Sequence, residues 1–138
     1  QGWSGEERTE SDLSNVTSMK NVRLLGSLET EQIACLMISA DALVMAGFYE
    51  GFGLPALESM ACGTPVFAAN AGALPEVVGN GGIFFDPTDP DTLTAAMNVI
   101  ASDSSRKSLL RRRALARASE FSWETHAKGL IKLVEELV

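Results

Sequence analysis

Two glutamates, Glu50 and Glu58, bracket the segment Glu50-Gly-Phe-Gly-Leu-Pro-Ala-Leu-Glu58. Ionised carboxylates only accept hydrogen bonds, so this pair suits hydroxyl groups rather than phosphates. Gly51 and Gly53 lie between them and disfavour one continuous helix. Glycine tolerates positive φ and lets a ligand come close to the chain. Pro55 lacks an N–H and suits the first turn of a helix. The spacing therefore predicts a turn, with Glu50 on the loop and Glu58 one turn inside a helix starting near Pro55.

The N–H groups of Phe52, Gly53 and Leu54 would then point outward at a helix N-terminus, where an anion is favoured. Such an arrangement can hold a ligand with hydroxyls at both ends and anionic groups between them, as a sugar nucleotide has. The plainer reading is a strand-to-helix turn with two surface acids, since an acid in the first helical turn also suits the helix dipole. The local pattern does not choose between the two.

Elements of a globular domain must position this segment. The chain has 138 residues, the size of one ordinary domain, and 46% apolar residues, enough for a buried core. Its formal net charge of −7 argues against nucleic-acid binding and against adsorption of the whole surface to anionic lipid. Cys35 and Cys62 stand in apolar, helix-like surroundings and are expected to be buried free thiols. The single histidine, His126, offers no clustered spacing for a metal site, so no metal is expected. The polar, acidic N-terminus shows no signal peptide, and no apolar run is long enough to span a bilayer.

Residues 1–20 read as a poorly defined polar segment, with a helix expected around Glu10–Lys20. Val22–Leu25 reads as a short strand closed by Gly26. Thr30–Ala40 reads as a helix carrying Ile33, Leu36, Met37 and Ala40 on one face. Buried strands are expected at Ala42–Met45, Pro65–Ala68 and Gly82–Phe85. Helices are expected from Pro55 to about Cys62, ended by Gly63, and at Leu74–Val78, closed by Gly79. Asp89-Pro90 starts another, with Leu93, Ala96, Met97 and Ile100 inward. Ser105–Ser119 forms the next, and its cluster Arg106, Lys107, Arg111, Arg112, Arg113 and Arg117 reads as a solvated face, with anionic lipid contact the alternative. A last helix follows Ser122-Trp123-Glu124, with Leu130, Leu133, Val134 and Leu137 as its buried stripe. Apolar strands alternating with helices predict an α/β fold: a Rossmann-like parallel sheet flanked by helices, with a helical C-terminal part.

From Val22 onward the ordered motifs resemble the nucleotide-sugar-binding half of group 1 (family 4) retaining glycosyltransferases. They are Val-Arg-Leu-Leu-Gly at 22–26, Ser-Ala-Asp-Ala-Leu-Val at 39–44 and Tyr-Glu-Gly-Phe-Gly-Leu-Pro-Ala-Leu-Glu at 49–58. Met-Ala-Cys-Gly-Thr-Pro-Val at 60–66, Gly-Ala-Leu-Pro-Glu-Val-Val-Gly at 72–79, Asp-Pro at 86–87 and Phe-Ser-Trp-Glu at 121–124 follow. The resemblance implies the C-terminal half of a GT-B fold in a single donor-binding domain, residues 1–138. It gives Glu50 the catalytic-site position beside the donor sugar. Gly51, Phe52, Gly53 and Leu54 correspond to the amides on the sugar and distal phosphate, Glu58 to the ribose ligand, and Ser27 and Leu28 to the segment lying against the base. The expected reaction is metal-independent, retaining transfer of a hexose to an acceptor, with no cofactor beyond the substrate UDP-, GDP- or ADP-hexose. A cytoplasmic location is expected, with attachment to the inner face of the membrane as the alternative.

The sequence also departs from the family pattern. The arginine-lysine loop that contacts the diphosphate is not found before Val22, nor is the acceptor-binding N-terminal domain, so a truncated and inactive portion of an enzyme is expected. Ala46-Gly47-Phe48 replaces the usual Pro-Ser-Leu. Gln1-Gly-Trp3 resembles a run found in some members and points toward a mannosyl-type donor. Without upstream strands, Ala42–Met45 would form an open edge, which favours homo-oligomers or re-pairing with Val22–Leu25. A non-catalytic nucleotide-sugar-binding or assembly module is the alternative function. A nucleotide-binding epimerase is disfavoured by the lack of a Gly-x-Gly-x-x-Gly turn.

Overall fold

The computed structural model describes residues 19–137. Of these, residues 19–30 belong to one unit and those from Glu31 onward to another. In the first, Met19–Asn21 form a turn in which Val22 N donates to Met19 O at 3.1 Å. The expected strand at Val22–Leu25 is absent: these residues are irregular and all exposed. A four-residue segment such as Val-Arg-Leu-Leu becomes a strand only where another strand supplies its hydrogen bonds. The helix expected over Glu10–Lys20 and the Gly-Trp pair at the start lie outside the described residues, apart from Met19 and Lys20.

The second unit is a parallel α/β layer. Its helices and strands are α1 (Thr30–Ser39), β1 (Leu43–Met45), α2 (Leu54–Ala61), β2 (Val66–Ala69) and α3 (Leu74–Val78). After a 3₁₀ turn at Gly79–Gly81 come β3 (Gly82–Phe85), α4 (Pro90–Ser102), α5 (Ser104–Ala118) and α6 (Trp123–Leu137). The strands pair in the order β1-β2-β3, all parallel, with Leu43 opposite Val66 and Val66 opposite Gly82. Every residue of the central strand β2 is buried, because helices cover both of its faces. The core gathers Ala56 and Met60 of α2, Val66–Ala69 of β2, Leu74, Val77 and Val78 of α3, and Ala96, Ile100, Leu110 and Ala114 of α4 and α5. Two buried hydroxyls are satisfied: Ser59 Oγ donates to Thr64 O at 3.1 Å, and Thr64 Oγ1 to Met37 O.

Capping residues end the helices where local chemistry predicts. Asp89 accepts from Asp91 N at 3.0 Å at the start of α4, and Asp103 accepts from Ser105 N and Arg106 N at the start of α5. The expected solvated face of α5 is corrected in part. Arg111 donates to Ala40 O and Ile38 O, both at 3.2 Å, at the C-terminal end of α1, and Lys107 pairs with Asp41. Basic side chains suit helix C-termini, where carbonyls lack partners. Arg106, Arg112 and Arg113 do face solvent.

Several burial expectations fail. No residue of α6 is buried, and Leu130, Leu133, Val134 and Leu137 are all exposed. Ile33 and Leu36 of α1 and Met97 of α4 are exposed as well. Cys35 is exposed and Cys62 half-buried, both as free thiols. Periodicity identifies the apolar face of a helix; burial requires a neighbour to cover it.

Candidate functional site

The three strands point their carboxyl ends to one rim, the edge at which open parallel sheets place ligands. Hydrogen bonds tie the loops of this rim together. Asn70 N, just after β2, donates to Phe85 O at the end of β3, at 2.9 Å. Ala73 N donates to Glu50 O at 3.2 Å. The loop after β2 therefore bridges the end of β3 and the loop after β1.

Glu50 is held closely at this bridge. Gly72 has φ +57°, and a side chain there would place its Cβ 3.0 Å from Glu50 N and 3.1 Å from Glu50 O. Only a glycine combines that backbone conformation with so close an approach. On the other side, the Glu50 carboxylate lies along the backbone of Gly47, whose hypothetical Cβ would meet Oε1 at 2.9 Å. Glu50 is thus half-buried, with its main chain fixed and its carboxylate lying over the loop.

The turn that follows leads into α2. Gly53 is its N-cap residue, buried, with φ 89° and ψ 46°. This left-handed conformation, and a contact that would put a Cβ 2.8 Å from Leu74 Cδ2, both require glycine. Pro55 occupies the first helical turn and no side chain caps it. Leu54 and Glu58 stand on the exposed face of α2, one turn apart, opposite the buried Ala56, Ser59 and Met60. Glu50 and the uncapped N-terminus of α2 are thereby joined through one short turn. Gly51 and Phe52 in that turn are exposed. Ser27 lies at an exposed bend and Leu28 is half-buried; both belong to the unit ending at Thr30.

Sequence reasoning gave no role to three further features of this part of the molecule. One is the Gly72-Ala73 brace on Glu50. The second is an aromatic contact: Phe52 meets Phe121 edge to face, with centroids 6.0 Å apart and rings at 86°. The Arg117 guanidinium lies 4.7 Å above the Phe121 ring. Its Nε donates to Val77 O at 3.1 Å and Nη2 to Glu76 O at 2.5 Å, closing the C-terminus of α3, while Nη1 pairs with Glu120. The third is a cavity of about 320 Å³ at the ends of β2 and β3, lined by Asn70, Phe84, Phe85, Asp86, Pro87 and Thr92. Thr88 donates to Asp86 through its N–H at 2.8 Å and its hydroxyl at 2.7 Å, which holds the Asp86 carboxyl below its ordinary range. The quoted motifs at 72–79 and 121–124 already contained Gly72 and Phe121, but their contacts join residues far apart in sequence.

Known proteins share this architecture. The chain is 44% identical over 103 residues to O-antigen chain mannosyltransferase B of Escherichia coli, covering 75% of this chain and 27% of that protein. The chain thus spans about a quarter of that relative's length. Sucrose-phosphate synthase from Thermosynechococcus elongatus superposes with a TM-score of 0.79 at 30% identity, over 93% of this chain and 33% of that one. Anabaena Alr3699/HepE, solved in complex with UDP-glucose, superposes with a TM-score of 0.75 at 26% identity, over 91% of this chain and 35% of that one. Among the described residues no helix is long and apolar enough to cross a membrane. The family of glycosyl transferases group 1 matches residues 2–136, and with a parallel sheet whose neighbours have the GT-B fold, the chain belongs to that family.

Proposed function

We propose that this domain binds the nucleotide-diphosphate sugar of a retaining hexosyl transferase that needs no bound metal. The observation that supports the reading best is the fixed turn between Glu50 and α2. It joins Glu50 to an uncapped helix N-terminus through one short turn after the carboxyl end of β1. In this reading Glu50 accepts hydrogen bonds from the donor-sugar hydroxyls. The amides of Gly51, Phe52, Gly53 and Leu54 serve the sugar and the distal phosphate. Glu58, one turn further along α2, holds the ribose hydroxyls.

The chemistry follows from where charge develops. As the glycosidic bond to the diphosphate breaks, negative charge grows on the leaving phosphate oxygen. Amides already aimed at that position stabilise the charge without reorganising, and the α2 dipole adds to them. A mannosyl-type donor fits both the Gly2-Trp3 run and the similarity to a mannosyltransferase. The acceptor is the remaining partner.

Calorimetry with UDP, GDP and ADP and their hexose conjugates tests the reading. One series should bind, and Glu58→Ala should weaken the nucleoside diphosphate more than Glu50→Ala does. A loss of about ten- to a hundredfold for Glu58→Ala corresponds to one charge-assisted hydrogen-bond site at roughly 1.5–3 kcal/mol. Equal losses in the two variants, or none, would contradict the assigned roles.

A further inference from the structure

The turn Gly51-Phe52-Gly53 poses a physical problem for any ligand site built on backbone amides. Two glycines give it more conformational freedom than any other residue pair would. Amides stabilise a ligand well only when they are already held in place, since ordering them on binding costs affinity. Gly53 is pinned by its contact with Leu74, and Glu50 by the Gly72 loop. Between those two points the only side chain is that of Phe52, and it is 43% exposed. Its ring contact is with Phe121, edge to face at 6.0 Å.

Phe121 is well suited to serve as an anchor. Its N–H donates to Ala118 O at 3.1 Å at the end of α5. Arg117 covers its ring at 4.7 Å, and Arg117 is itself fixed by the carbonyls of Glu76 and Val77 and by the Glu120 carboxylate. Phe121 thus meets a cation and a second ring at once, each at a distance at which an aromatic ring is attracted to its neighbour. A continuous set of contacts thus runs from the C-terminus of α3, through Arg117 and Phe121, to the middle of the glycine turn.

We infer that Phe121, held by Arg117, is a positioning residue for the Gly51-Phe52-Gly53 turn, acting through the Phe52 ring to keep its amides in place for the nucleotide-sugar diphosphate. The inference rests on the donor-binding reading for the identity of the ligand, but not for the ordering of the turn. Phe121 itself touches no ligand in this scheme. Its loss loosens the turn while leaving the sheet intact, and an aromatic replacement preserves the contact.

The test has one readout without ligand and one with it, both on the whole chain. In the wild type, backbone ¹⁵N order parameters of Gly51, Phe52 and Gly53 should lie near the rigid value of about 0.85. In Phe121→Leu they should fall below about 0.6, while those of Val66–Ala69 stay unchanged. Phe121→Tyr should restore them, and Phe52→Leu, at an exposed position, should reproduce the loss even where Phe121→Leu folds poorly. Affinity for UDP-glucose or GDP-mannose, whichever the wild type binds, should drop about tenfold in Phe121→Leu and recover in Phe121→Tyr. Unchanged order in both leucine variants, or a fall spread across β2, overturns the inference. A turn that loosens as expected in a chain that binds neither these donors nor any other UDP-, GDP- or ADP-hexose supports the positioning role and overturns the donor-binding reading instead.

Discussion

The rim of the sheet and the helix α6 are built from similar materials and held in opposite ways. Gly53 and Gly72 at the rim, and Gly82 at the start of β3, each stand where a Cβ would come within about 3 Å of a neighbour, and Leu74 is fully buried. In α6, Gly129 has no atom within 4 Å of its Cβ position, and no leucine is covered. The helix is held by its own Ser122 cap and by the pairs Lys128–Glu124 and Lys132–Glu136. Composition therefore does not decide rigidity here. Contacts between distant segments do, and they concentrate around the turn that carries Glu50.

The sharpest way to break this comparison is to add one methyl group to each region. Gly82→Ala would place a Cβ 2.0 Å from Val66 O and 2.8 Å from Val78 Cγ1, inside the ladder between β2 and β3. Neither the carbonyl nor the strand can retreat without breaking pairing, so a loss of about 3 kcal/mol or more is expected. Urea unfolding followed by circular dichroism measures it. A variant that unfolds at the wild-type midpoint would show that β3 does not approach β2 this closely.

A second pair of substitutions removes the same side chain from each region. Leu74→Ala takes away a fully buried residue that also packs on Gly53, and should cost about 2–5 kcal/mol. Leu130→Ala, at 58% exposure on α6, should stay within about 0.5 kcal/mol of the wild type. Equal costs, read from the same unfolding curves, would mean that something covers the α6 stripe in solution.

The same contrast explains what could be read from the sequence. Signals that act within a few residues were legible: Pro55 and the Asp89-Pro90 step start helices, and Gly63 and Gly79 follow helix ends. The strands at β1, β2 and β3 were legible as short apolar runs, but only β2 is buried throughout: Val44 of β1 is exposed, and in β3 only Phe85 is fully buried. Leu130 to Leu137 misled because a stripe shows which face would be buried, not whether a partner exists. Val22–Leu25 misled for the related reason that a strand needs a ladder. At the site, the glycine spacing between Glu50 and Glu58 announced a turn. The brace of Gly72 on Glu50, the Phe52–Phe121 contact and the Arg117 closure of α3 were not legible, because each depends on how the folded chain returns to itself.

The smallest effect distinguishes a helix that unfolds with the core from one that unfolds by itself. Gly129 lies inside α6, and its replacement by alanine meets open space. Helix propensity alone then favours Gly129→Ala by about 0.8–1 kcal/mol. That gain is confined to α6 if the helix is as loosely joined to the rim as its exposure indicates. Helical signal near 222 nm should therefore rise, and the helix should melt at higher urea, while the midpoint of the sheet, followed by amide signals of Val66–Ala69, does not move. A shift of the sheet's midpoint by the full propensity gain would show that α6 folds together with the core, and the two regions would then differ in exposure but not in cooperativity.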